Sequence, residues 1–86
     1  MMTLKFVTPT GCSEIVECDS VHLIMASGTD GKGGGSIGIR TGFEKAMIVL
    51  DSGNVDAFLS GNKVFSKHSD GGFATVNDDV IVVISK

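Results

Sequence analysis

Turn-forming residues recur along this 86-residue chain at short, even intervals, and they leave little room for helices. They cluster at Pro9-Thr10-Gly11, in the long stretch from Gly28 to Gly38, and at Ser52-Gly53-Asn54. Further clusters follow at Gly61-Asn62, Asp70-Gly71-Gly72 and Asn77-Asp78-Asp79. Between them lie segments of five to nine residues rich in Val, Ile and Phe. Short β-favouring runs punctuated by Gly, Asn and Asp predict an all-β domain, a sandwich or barrel of short strands. The strands expected are 3–8, 13–18, 20–26, 37–40, 45–50, 54–59, 62–67, 72–76 and 79–85. Eighty-six residues suffice for one domain and are too few for two, so residues 1–86 are read as a single unit.

Alternation sharpens several of these strands. Leu4 and Phe6 share one face while Lys5 and Val7 share the other, and Val21, Leu23 and Met25 alternate with His22, Ile24 and Ala26. The run Val80-Ile81-Val82-Val83-Ile84 is apolar on both faces, which predicts a central strand covered on both sides. One segment pulls toward a helix: Phe43, Ala46, Met47 and Leu50 sit at i, i+3, i+4 and i+7. Gly42 and Gly53 confine it to about two turns, and a helix that short needs outside support. The β-branched Ile48 and Val49 favour strand, and strand is the reading taken.

Composition excludes several functions. A net charge of −3, with seven basic residues scattered from Lys5 to Lys86, lacks the cation cluster that neutralises phosphates. Without Trp or Tyr, and with five Phe not interleaved with cations, there is no base-stacking platform either. No nucleic-acid partner is expected. The longest apolar runs fall far short of a membrane span, and no apolar signal region follows the start. A cytoplasmic chain with Cys12 and Cys18 as free thiols is the expectation.

The motif that most invites a chemical reading is Gly33-Gly34-Gly35-Ser36-Ile37-Gly38, formally G-x-G-x-x-G. A dinucleotide site needs a strand before those glycines and a helix after them, so that the pyrophosphate meets a helix N-terminus. Gly42 interrupts the only helical candidate, and the segment is read as a connector between strands. Gly31-Lys32 is no phosphate loop, because Gly33 follows the Lys where Ser or Thr is required. His22, His68 and the C-x5-C cysteines match no metal-site spacing, and no G-x-S-x-G elbow presents a nucleophile. Neither catalysis nor a cofactor nor a metal is expected.

Taken in order, the residues resemble the amino-terminal domain of the epsilon subunit of F-type ATP synthases, over nearly the whole chain. Leu4-Lys5-Phe6-Val7-Thr8-Pro9-Thr10-Gly11 is similar to that family's opening strand and turn, and Val16 to Leu23 to its next two strands. Ser36-Ile37-Gly38-Ile39-Arg40-Thr41-Gly42-Phe43 and Leu50-Asp51-Ser52-Gly53 occupy the place of G-x-L-P-G-H and the strand that ends in P-G-V. Ser69-Asp70-Gly71-Gly72-Phe73-Ala74-Thr75-Val76-Asn77-Asp78-Asp79-Val80 resembles S-G-G-x-x-x-V-x-D-N-x-V. Thr41 stands where the family has Pro, Phe43 where it has His, and Ser36 where an acidic residue is frequent.

The resemblance implies a two-sheet β-sandwich of about ten short strands. It further implies a non-catalytic rotor-stalk subunit of a proton- or sodium-translocating synthase, docked on the gamma subunit and the c-ring. Such a subunit is peripheral on the inner face of the cell membrane. By the same resemblance, the ring-facing residues are Thr8, Ser36, Ile39, Arg40, Thr41, Gly42 and Phe43, with Phe43 either an exposed anchor or a core residue. The family usually adds a carboxy-terminal helical hairpin that inhibits the motor and in some members binds ATP. This sequence stops at Lys86, so neither property is assigned to it. A standalone sandwich of the same fold serving an unrelated partner is the alternative.

Overall fold

The computed structural model describes residues 1–24 and 35–86, and among these described residues it has nine strands and no helix. They are β1 (Met2–Val7), β2 (Ser13–Cys18), β3 (Ser20–Ile24), β4 (Ser36–Arg40) and β5 (Ala46–Leu50). Then come β6 (Gly53–Leu59), β7 (Asn62–Ser69), β8 (Gly72–Asn77) and β9 (Val80–Ser85). The predicted strand boundaries hold to within a few residues. Met25, Ala26 and the segment from Gly28 to Gly34, including Lys32, lie outside the described residues. The strand count among the described residues is nine, one fewer than the resemblance implies.

The strands form a five-stranded sheet, in the order β2, β1, β9, β8, β5, and a four-stranded sheet, in the order β4, β3, β6, β7. All pairs are antiparallel except β1 with β9, the first and last strands, which run parallel from Thr3 opposite Val80 to Val7 opposite Ile84. Alternation puts one side of every strand between the sheets. From β1 that side contributes Met2, Leu4 and Phe6, from β9 Ile81 and Val83, and from β3 Val21 and Leu23, all buried. The Phe6 and Phe65 rings meet across the core with centroids 5.7 Å apart. A sandwich of this kind places its core in one layer between two inner faces.

Two turns are built by backbone chemistry the residues select. Ser60-Gly61, between β6 and β7, has φ of 53° and 81°, and Asp78-Asp79, between β8 and β9, has φ of 49° and 62°. Two successive left-handed residues define the tight hairpin turn whose twist matches the flanking strands. At the other end, Gly72 holds φ at +124°, and a side chain there would collide with the Ile84 carbonyl oxygen.

The segment with helical spacing is a strand. β5 pairs with β8 from Ala46 opposite Val76 to Leu50 opposite Gly72, burying Ile48 and Leu50 and leaving Met47 and Val49 outside. One sequence expectation is corrected. β9 lies at the centre of its sheet, but the described residues cover it on one face only. Ile81 and Val83 are buried, Val82 and Ile84 are half-buried, and Val80 is exposed.

Candidate functional site

The seven residues assigned by resemblance to a ring-facing end do not share one end of the sandwich. Arg40 closes β4, opposite Ser20, and Thr41, Gly42 and Phe43 form the turn that follows. That turn is tied down from two directions: Phe43 N–H donates to Arg40 O at 3.1 Å and Gly42 N–H to Asp79 Oδ1 at 2.8 Å. The neighbouring turn is fixed in the same way, with Ser60 N–H donating to Asp19 Oδ2 at 2.9 Å. Ser36 starts β4 opposite Ile24, at the far end of the strand. Thr8 follows β1 at that far end but on the other sheet, where Val7 faces Ile84. Its hydroxyl donates to Cys12 O at 3.2 Å and its N–H to the same oxygen at 2.9 Å, which closes the β1–β2 turn.

Two of the seven are not free surface. Ile39 points between the sheets and is fully buried, because alternation along β4 turns Ile37 and Ile39 inward and Gly38 and Arg40 outward. Phe43 is half-buried and packs against the core, so it is no free-standing exposed anchor. Ser36, Arg40, Thr41 and Gly42 remain exposed.

The apolar surface lies elsewhere. Seven large apolar side chains stay exposed among the described residues, and five of them, Ile15, Met47, Val49, Phe73 and Val80, belong to the outer face of the five-stranded sheet. Strand register lines them up with half-buried neighbours. One row crosses the sheet through Val49, Phe73, Ile84 and Val7. The next runs through Met47, Thr75, Val82, Lys5 and Ile15. Met47 is 69% exposed and Val49 60%. No described residue packs over this face, whose charges are Lys5 and Glu17. Residue-by-residue reading missed the face, although the two-sided apolarity of β9 pointed to a cover.

The outer face of the four-stranded sheet is polar by contrast. Ser66 Oγ donates to Asp56 Oδ1 at 2.6 Å, Lys63 Nζ stands 3.9 Å from Asp56 Oδ2, and His68 Nε2 lies 3.2 Å from Asp70 Oδ1. Both cysteines are free, Cys12 exposed and Cys18 buried. Burial pushes the Cys18 thiol pKa up, and the adjacent Asp19 carboxylate adds to the rise. The segment after Gly35 is the strand β4, so the glycine run leads into a sheet rather than a helix N-terminus. No helix of the described residues is long and apolar enough to cross a membrane.

No family model matches the sequence, and no curated protein matches it. Among solved structures the chain is similar to one in the cryo-EM structure of the Tetrahymena thermophila mitochondrial ATP synthase central stalk and c-ring. The superposition has a TM-score of 0.67 and covers 98% of this chain. The two chains share a fold. At 18% identity the likeness is one of architecture, and this chain spans 62% of its neighbour's length. The sandwich has one apolar outer face and one polar outer face.

Proposed function

We propose that the chain is an epsilon-like, non-catalytic component of the rotor stalk of a proton- or sodium-translocating F-type ATP synthase, peripheral on the inner face of the membrane. The observation that carries docking is the exposed apolar outer face of the five-stranded sheet. A face five strands wide and about six residues long measures about 20 Å by 20 Å in plan. Apolar patches of a few hundred Å² on a soluble domain mark places where another protein sits. Phe73 at the middle of one row is the aromatic anchor, flanked by Val49 and Ile84.

In this reading the apolar face takes the gamma subunit, and the exposed end of β4 with Thr41 and Gly42 meets the c-ring. The fold shared with an ATP synthase central-stalk and c-ring chain supports the assignment. The half-buried placement of Phe43 favours a second reading, a sandwich of this fold that serves an unrelated partner.

Affinity capture from membranes with tagged protein separates the two. Recovery of the gamma and c subunits, lost when Phe73 and Val82 are both replaced by Lys, is the expected result. Recovery of neither subunit with the wild-type protein rejects the stalk assignment. Retained capture by the F73K/V82K variant moves the docking off this face.

A further inference from the structure

The polar side of the sandwich carries a hollow of its own, formed where small residues sit among large ones. One row of the four-stranded sheet runs Arg40, Ser20, Phe58, Lys63, and the next holds Gly38, His22 and Asp56. Ser20 and Gly61 leave room, and Arg40, His22 and Phe58 stand around it. The result is an open hollow of about 590 Å³, bounded at its far side by Thr41, Gly61 and Asp19.

Its walls are chemically distinct. Arg40 is exposed and has no ion-pair partner among the described residues, so its guanidinium donors are available. His22 and Phe58 meet edge to face, with centroids 5.6 Å apart and an interplanar angle of 67°. Gly38 permits this arrangement, since a Cβ there would come 3.3 Å from His22 Nε2. Outside the hollow, Lys63 Nζ stands 5.9 Å from the Phe58 ring centroid and 3.9 Å from Asp56 Oδ2, so its charge is shared with that carboxylate. The one carboxylate at the rim, Asp19, is turned into the adjoining turn by its bond from Ser60 N–H.

We infer that this hollow binds a small organic oxyanion, a molecule joining a carboxylate or phosphate to a flat ring. Arg40 holds the charged end through paired N–H donors, and Phe58 receives the ring. The hollow lies on the sheet opposite the apolar face, and its Arg40 and Thr41 belong to the end of β4 that the proposed function turns toward the c-ring.

Titration of the isotope-labelled chain with benzoate and with adenosine monophosphate, followed by amide shifts, tests the inference and separates carboxylate from phosphate. Saturable shifts at Ser20, His22, Arg40, Phe58 and Gly61 with at least one probe are expected. R40Q, at an exposed position, weakens that binding by about tenfold or more while the rest of its spectrum is unchanged. F58L weakens it by about fivefold, because the ring contact is reduced and the charge contact kept. The inference is overturned if neither probe saturates by about 10 mM, a limit set by the affinity one charge-assisted contact and one ring contact provide. It is equally overturned if R40Q binds as well as the wild type, or if the shifts fall outside the hollow.

Discussion

At the residue scale, a few side chains carry disproportionate weight because nothing nearby can replace them. Gly72 is confined both by its left-handed backbone and by the Ile84 carbonyl, so Gly72→Ala is expected to cost about 2 kcal/mol or more in urea denaturation. Buried Ser69 accepts from Gly71 N–H at 3.2 Å and lies 2.9 Å from Ser85 Oγ. Ser69→Ala leaves a buried donor unpaired, and a loss of about 1–2 kcal/mol is expected by the same measurement. Cys18 supplies a pH dependence. Its thiol pKa is raised above the ordinary 9.0 by burial and then by Asp19, so above that value the unfolded chain loses the proton first. Stability is therefore fully present below about pH 9 and falls as pH rises toward and through the folded-state value. Cys18→Ala should flatten that decline, and an unchanged slope would assign it to other groups. None of these constraints was legible in the sequence, where Gly72, Ser69 and Cys18 read as ordinary turn and strand residues.

At the element scale, β9 shows how one strand can answer two demands. Its inward residues close the core, and its outward residues form the middle of the exposed apolar face. Ile81→Ala is expected to destabilise by about 2–4 kcal/mol, whereas Val82→Thr should change stability by no more than about 0.5 kcal/mol. Equal effects of the two would mean that the outer face is covered within the chain itself. The alternation of β1 and β3 and the strand nature of β5 were readable from residue order, since period-2 burial leaves a direct trace. What β9 faces was not, because apolarity on both sides says that cover is needed without saying who provides it. The residues assigned by resemblance to the ring-facing end lie apart for a related reason. Ser36 and Arg40 are four positions apart in the sequence, but a strand of five residues carries them to opposite ends of β4.

At the scale of the whole molecule, the parallel pairing of the first and last strands makes the five-stranded sheet a closure of the chain on itself. Removing residues 80–86 takes away the strand between β1 and β8, so the shortened chain is expected to show the circular dichroism of an unfolded polypeptide. Retained strand signal would mean that the four-stranded sheet stands alone. Because so many pairings join residues distant in sequence, refolding is expected in milliseconds to seconds, which stopped-flow measurements would show. Residue order was enough to establish an all-β domain, its strand boundaries and most of its inward positions. Those properties are local: they follow from turn chemistry and from the alternation that the β backbone imposes on each segment. The partner of each strand, the uncovered apolar face, the hollow beside Arg40 and the split of the resemblance-derived residues between two ends became visible in three dimensions alone. They depend on which strands lie side by side and in what register, and pairing between distant segments leaves no mark in either segment's own sequence.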